Sequence, residues 1–183
     1  MKRPRRLEPT TWRGVALDLA RLLVMLLLTV LLQTTVAPHI RVLGASPDVA
    51  MVAVVCVGLL RGSEAGAVFG FLTGACISFA VFGPLGLSSL VLVIVGYAAG
   101  RYAETADTSS GFAPIVVVVG GTALGELLYS LAQFLLDNQV PFGFFITRIF
   151  LPLIVLNALL AAPGYLVARL WLREEVTDGA QPA

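Results

Sequence analysis

Glycine recurs at every fourth position across one apolar part of the chain, at Gly58, Gly62, Gly66, Gly70 and Gly74. In a soluble helix this spacing would be unfavourable, because each interior glycine costs about 1 kcal/mol relative to alanine. In a lipid bilayer it is favourable, since small residues on one helix face let neighbouring backbones approach closely. The polar segment 61–64 interrupts the series. The pattern therefore predicts two apolar helices that meet at a short polar turn, each with small residues beside that turn.

The composition also indicates a protein built from membrane helices. Hydrophobic residues make up 58% of the 183 residues and charged residues 13%, and the mean hydropathy is +0.93. Soluble domains are about 25% charged. The polar segments between apolar stretches are also far shorter than the roughly 40 residues that a soluble domain needs to form a core. We therefore expect one all-α membrane domain in the lipid bilayer, with no nucleic-acid partner and no cytosolic active site.

Six apolar stretches can be marked along the chain, at residues 15–36, 47–60, 65–82, 85–100, 112–136 and 144–172. The first would extend about 33 Å as a helix, enough to cross a bilayer core of about 30 Å. The second would extend only about 21 Å. It would therefore span only by thinning the bilayer or by recruiting neighbouring helices, with Arg61 extending to the surface.

The distribution of basic residues predicts the orientation. Five Lys and Arg residues precede the first stretch, and six crossings place four more on the same side, namely Arg61, Arg101, Arg169 and Arg173. Basic residues concentrate on the cytoplasmic side of membrane proteins. We therefore expect a basic cytoplasmic N-terminus at 1–14, a compact six-helix transmembrane domain at 15–172 and a short disordered cytoplasmic tail at 173–183.

The chain has few of the groups that catalysis or metal binding needs. Its only histidine, His39, has no second His or Cys at ligand spacing, whereas a zinc site takes three or four ligands. Ser88 and Ser89 have no base close in sequence. The glycines lie in predicted helices, whereas a phosphate-binding loop follows a strand. We therefore expect no enzymatic activity, no cofactor and no metal site.

Polar side chains inside the apolar stretches are the best candidates for a functional site, because burying them in a membrane is unfavourable. Glu126, Tyr129 and Gln133 share one helix face in the fifth stretch, and Asn157 lies in the sixth. This face would line a polar cavity or bond to a partner helix. Alternatively, Glu126 is an internal cap that is neutral or bonded to Asn157 or to the backbone of another helix. The sequence leaves both interpretations open.

Charged and aromatic residues near the ends of the stretches indicate contact with lipid headgroups. Asp18 and Arg21 lie three positions apart near the start of the first stretch, so we expect them to pair. Trp12 and Trp171 lie near the two ends of the membrane domain, where aromatic residues anchor helices at the interface.

Several short motifs follow one another between residues 46 and 100. They are Ser-Pro-Asp-Val at 46–49, Gly-Leu-Leu-Arg-Gly at 58–62, Gly-Phe-Leu-Thr-Gly at 70–74, Pro-Leu-Gly-Leu at 84–87 and Gly-Tyr-x-x-Gly at 96–100. This order resembles the rod shape-determining protein MreD family, whose length and single membrane domain also match. Asp48 and Arg61 are the polar members of these motifs. Ser78 is a departure, since the family often has an aspartate there.

The resemblance implies a fold and a set of partners. The family is similar in fold to the substrate-binding subunits of energy-coupling-factor transporters, which are compact bundles of six transmembrane helices. It implies a non-enzymatic scaffold of the bacterial cell-elongation machinery in the cytoplasmic (inner) membrane. The scaffold would bind an MreC-like single-span protein and, indirectly, an MreB-like cytoskeleton and peptidoglycan synthases. Self-association into a homo-oligomer stays open. The candidate helix-packing or partner-interface residues are Gly58, Gly62, Gly66, Gly70, Gly74, Gly96 and Gly100.

The competing interpretation is a substrate-binding membrane subunit of a vitamin-type transporter. Such a subunit needs an outward-opening pocket lined by several polar side chains. The predicted outer loops offer few of them, namely His39, Arg41, Asp137, Asn138 and Gln139. An intramembrane enzyme would need a nucleophile and a base, and the sequence shows no such pair. The scaffold is therefore the favoured interpretation.

The six-span topology makes a direct prediction for reporter fusions. Fusions at His39 and Asn138 should report the extracytoplasmic side, and a fusion after Thr105 should report the cytoplasm, because successive spans alternate in direction. Compartment-specific reporter activity in cells measures this. An extracytoplasmic signal from the Thr105 fusion would contradict the six-span topology.

Overall fold

The computed structural model describes residues 12–41, 45–82, 86–106, 113–135 and 151–172. These residues form six α-helices, α1 (Trp12–Leu31), α2 (Val49–Arg61), α3 (Ser63–Ala80), α4 (Leu87–Thr105), α5 (Ala113–Leu135) and α6 (Leu151–Trp171). A π-helical turn, Leu32–Val36, and a 3₁₀ turn, Ala37–His39, extend α1. The all-helical prediction is confirmed for this part of the chain. Most of the predicted N-terminal segment and the predicted tail lie outside the described residues.

Contacts between helix ends show that neighbouring helices run in opposite directions. Arg61, at the end of α2, bonds to Asp18 near the start of α1 and to the carbonyl of Leu172 just after α6. Ser63, at the start of α3, bonds to Glu104 near the end of α4. The starts of α1 and α3 therefore lie at the same end of the bundle as the ends of α2, α4 and α6. We call this the Arg61 end.

The shortest helix of the six, α2, forms the centre of the bundle. It has 13 residues and packs against each of the other five helices. Val54, Val55, Cys56 and Val57 are fully buried. Because protein rather than lipid surrounds α2, its length does not have to match the bilayer thickness. Neighbouring helices therefore enclose α2, as one of the two predicted routes for a short span requires, and the span itself stays a prediction.

Within the described ranges, four helical segments are long and apolar enough to cross a membrane, namely Gly14–His39, Ser63–Ala80, Pro114–Ala132 and Leu151–Trp171. The apolar helix α2 is shorter than this criterion requires. These lengths and compositions fit an integral membrane protein. The count of six membrane crossings stays a prediction.

A single glycine separates α2 from α3. Gly62 has a φ angle of +90°, a backbone conformation that glycine adopts without the steric penalty of a Cβ atom. Its N–H donates to the carbonyl of Gly58 at 2.9 Å and so closes the last turn of α2. The polar turn predicted at 61–64 is therefore reduced to one non-helical residue, and α3 begins directly at Ser63.

The remaining glycines of the series let three helices touch through their backbones. A Cβ atom added to Gly66 would overlap the carbonyl of Gly96 in α4, and one added to Gly58 would lie 2.6 Å from the same oxygen. Along α3, a Cβ on Gly70 or Gly74 would overlap the backbone of α4. The pair α3 and α4 is thus packed at backbone contact, with the end of α2 against the same α4 surface.

Replacing Gly70 with leucine should destabilise the bundle, because the new side chain would collide with the backbone of Leu92. Overpacking costs typically about 1–3 kcal/mol, so the thermal unfolding midpoint in detergent should fall by several degrees. Gly120→Leu is the matched control, since a Cβ atom there meets no atom within 4 Å. Equal midpoints for the two variants would contradict backbone contact at Gly70.

Candidate functional site

A buried amide connects three helices at the end of the bundle opposite Arg61. Asn157 in α6 and Thr122 in α5 are both 0% exposed. Asn157 Oδ1 accepts a hydrogen bond from the backbone N–H of Asp48 at 2.9 Å, and its Nδ2 donates to Thr122 Oγ1 at 3.0 Å. The amide therefore fixes the start of α2 against α5 and α6. Asn157 bonds to these two groups and not to Glu126, for which the internal-cap interpretation allowed Asn157 as one bonding partner.

Side chains from three parts of the chain satisfy the first turn of α2. Asp48 Oδ1 accepts from the N–H of Met51 at 2.9 Å, which is an N-cap hydrogen bond. Gln33, in the extension of α1, accepts from the N–H of Ala50 at 3.1 Å. Together with the bond from Asn157 to Asp48, these contacts pair N–H groups that a helix start leaves without intrahelical partners. The side chains of Gln33, Asp48 and Asn157 therefore fix the position of the start of α2.

A polar cavity of about 210 Å³ lies beside this helix start. Its polar lining consists of Gln33, Asp48, Ser88, Glu126 and Tyr129. The hydroxyl groups of Ser88 and Tyr129 are 3.1 Å apart and hydrogen-bond to each other. Within the described residues, the carboxyl group of Glu126 has no hydrogen-bond partner. The structure thus brings Glu126, Tyr129 and Asp48 together.

The side chains of some residues selected from the sequence lie outside the described part of the structure. Gln133 lies in α5, but its side chain is outside the described part of the structure. Residues 136–150, which contain Asp137, Asn138, Gln139 and Arg148, lie outside it as well. Sequence reasoning did not select Gln33, Ser88 or Thr122 as site residues. Only their polarity within apolar surroundings could have indicated them.

At the opposite end, Arg61 joins α1, α2 and α6. Its guanidinium group donates to the two carboxylate oxygens of Asp18 at 3.3 and 3.2 Å and to the carbonyl of Leu172 at 3.2 Å. The Arg61 side chain is only 17% exposed. Its charge is therefore matched by Asp18 at this end of the bundle, and its extension to the membrane surface stays a prediction. The sequence spacing predicted that Asp18 pairs with Arg21. In the structure, Asp18 forms an ion pair with the guanidinium group of Arg61.

Glu104 forms a second contact at the Arg61 end that sequence reasoning did not identify. Its carboxylate accepts from the backbone N–H of Ser63 at 2.9 Å and from the hydroxyl of Ser63 at 2.7 Å. The same carboxylate pairs with Arg101 at 2.8 Å. A residue of α4 therefore caps the start of α3, and this contact adds to the glycine packing between the two helices.

An apolar groove of about 540 Å³ lies between α1 and α6. Its walls include Leu28 and Val36 from α1 and its extension, and Leu159 and Val167 from α6. These side chains are between 44% and 69% exposed. Trp171 lies at one end of the groove, and its indole N–H donates to the carbonyl of Arg21 at 3.0 Å. The groove is larger than the polar cavity.

The glycines proposed as a packing or partner interface lie between helices of this chain. The α4 backbone lies next to Gly58, Gly66, Gly70 and Gly74, and Gly100 lies against the backbone of Ser63. A partner helix would therefore have to use other surfaces.

Comparison with known proteins gives one family. The family model described as rod shape-determining protein MreD matches residues 16–174, which include the polar cavity, the Arg61 contacts and the apolar groove. Searches of curated proteins and of solved structures give no match. The similarity in fold to the substrate-binding subunits of energy-coupling-factor transporters therefore stays a prediction.

Removing the charge of Arg61 should destabilise the bundle more than removing a surface charge. Arg61→Gln loses hydrogen bonds between charged groups, worth about 1.5–3 kcal/mol. Arg101→Gln is the control, because its ion pair with Glu104 is exposed and such pairs contribute about 0–1 kcal/mol. Thermal unfolding in detergent measures both effects, and a double-mutant cycle with Asp18→Asn gives the coupling between Asp18 and Arg61. A coupling free energy of zero would show that the pair of Asp18 and Arg61 does not stabilise the bundle.

Proposed function

The chain belongs to the rod shape-determining protein MreD family, and from this we propose that it is a non-enzymatic membrane scaffold of the bacterial cell-elongation machinery. It binds the transmembrane helix of an MreC-like single-span protein. Through this partner it is linked to an MreB-like cytoskeleton and to peptidoglycan synthases, and so supports peptidoglycan synthesis and cell shape. The observation that carries the proposal is the apolar groove between α1 and α6.

The groove has the length and the chemistry that a partner helix needs. Its lining extends from Met25 in α1 through the extension of that helix to Ile40, and along α6 from Leu156 to Trp171. The α6 part is about 23 Å long at the rise of an α-helix. Its floor includes the small residues Ala53 and Gly164. Small residues support helix association in lipid because they allow close packing. An apolar helix of the partner lies along this surface.

The way α1 packs supports the same assignment. Of the most apolar 18 residues in Gly14–His39, only 11% are buried inside the chain. This fraction is lower than in the other three long apolar segments. Leu23, Leu27 and Leu31 are all more than half exposed. A helix with so little contact to its own bundle has a large surface left for a partner.

The proposed orientation follows from charge. The Arg61 end faces the cytoplasm, since it includes Arg101 and Arg169 and basic residues concentrate on that side. Both termini are then cytoplasmic, in the bacterial inner membrane. The polar cavity and the start of α2 lie toward the extracytoplasmic side. This is the side on which an MreC-like protein carries its large domain and on which peptidoglycan is synthesised.

A second candidate function is that of a membrane subunit that binds a small molecule. The polar cavity favours it, because carboxyl, amide and hydroxyl groups from four parts of the chain line one space. The scaffold is preferred, since the family is one of shape-determining structural membrane proteins.

Leu159→Trp should weaken association with the MreC-like partner, because added bulk on the groove wall displaces a docked helix. A clash of about 1–3 kcal/mol corresponds to a loss of roughly 5- to 150-fold in affinity. Co-purification of the two proteins in detergent measures this, and cells carrying only the variant should lose rod shape.

Leu127→Trp is the matched control. Leu127 lies in α5, does not line the groove and is 65% exposed, against 69% for Leu159. Both variants should reach wild-type expression and elute as wild type from a sizing column. If both variants recover equal amounts of the partner, the groove is not the surface to which the partner binds.

A further inference from the structure

The polar cavity combines oxygen-bearing side chains with a larger apolar part of its lining. The carboxyl groups of Asp48 and Glu126 line it together with the amide of Gln33 and the hydroxyls of Ser88 and Tyr129. Gln33 and Asp48 each use one oxygen atom to accept from a backbone N–H of α2. Glu126 has no hydrogen-bond partner in the described part of the chain. The cavity therefore has unused acceptor capacity, most of it on Glu126.

In the described part of the chain, no positively charged side chain lines the cavity beside the two carboxyl groups. Asp48 lies close enough to Glu126 for their charges to repel each other. Among the described residues, the lining of the cavity contains no Lys, Arg or His. Two carboxylates in apolar surroundings are unfavourable unless a proton or a cation balances them. Among the described residues no positive charge balances them, and a bound cation or a proton on one of the two groups would do so.

The rest of the lining indicates what kind of cation fits. Five apolar side chains flank the oxygen atoms, namely Ala50, Met51, Ile77, Val91 and Leu92. A volume of about 210 Å³ exceeds that of a single ion and holds a small organic molecule. In the described residues no three His, Cys, Asp or Glu side chains cluster as a metal ion requires. The combination suits a short alkyl chain that ends in a positively charged hydrogen-bond donor.

We propose that this cavity binds a small organic monocation, with its ammonium or guanidinium group on Glu126 and Asp48 and its alkyl part against Met51 and Ile77. The donor N–H groups satisfy the free oxygen atoms, and the positive charge balances the carboxylates. The site is separate from the groove between α1 and α6. The proposal that this cavity binds a cation is therefore independent of the proposed scaffold function.

Thermal unfolding of the purified full-length protein in detergent tests the site, with n-butylammonium chloride as the probe and equal NaCl as the reference. Saturating probe should raise the midpoint by roughly 3 °C or more, because a ligand stabilises the state that binds it. Glu126→Gln keeps the shape of the side chain but removes its charge and should abolish the shift. Glu64→Gln, at an exposed position in the first turn of α3, should keep it.

A second variant covers the case in which Glu126→Gln does not fold. Ser88→Leu fills the cavity without changing its charge and should also abolish the shift. Neutral n-butanol, which has the same alkyl chain, should leave the midpoint of the wild type unchanged. The proposal is overturned if n-butylammonium does not stabilise the wild type, if n-butanol stabilises it equally, or if the folded cavity variants keep the full shift.

Discussion

The bundle depends on backbone contact around Gly96, where α2, α3 and α4 meet. Lipid tails give apolar helices little reason to associate, so van der Waals contact and hydrogen bonds must hold them together. Glycine at Gly58, Gly66 and Gly96 removes the side chains that would separate these backbones. With α3 and α4 this close, the end of α2 fits against both, and α2 becomes the helix that the others surround.

Polar contacts at both ends fix the position of α2 along the membrane normal. At one end the amide of Asn157 holds the backbone of Asp48, and at the other the guanidinium group of Arg61 holds Asp18. If α2 slid by one turn, it would leave these groups unpaired in apolar surroundings, which costs about 1–3 kcal/mol for each neutral group and more for a charged one. Apolar packing alone gives no such register, because similar side chains repeat along the helix.

This arrangement separates a tightly packed centre from a loosely attached periphery. The centre, α2 to α4, has backbone contacts and a buried core. At the periphery, α1 buries little of its surface and borders the groove shared with α6. The scaffold role proposed for this chain needs both a rigid centre and an exposed periphery. The binding surface must keep its shape, and the protein's own helices must leave it uncovered. The polar cavity lies between these regions, where Gln33 of the α1 extension reaches the start of α2.

The sequence by itself determined the helical membrane class, the turn near Gly62 and the importance of small residues, because each follows from hydropathy and local spacing. It also selected Glu126, Tyr129 and Asn157, since polar groups in apolar stretches are conspicuous. Only the tertiary structure decided their partners. Asp18 and Arg61 are 43 residues apart, and Asp48 and Asn157 are 109 apart. Local spacing predicted Arg21 as the partner of Asp18, and the charge of Arg21 does act on it, but only helix packing brought Arg61 to the same carboxylate. The enclosure of α2, the polar cavity and the apolar groove likewise arise from how whole helices pack, which the residue pattern of any one helix does not specify.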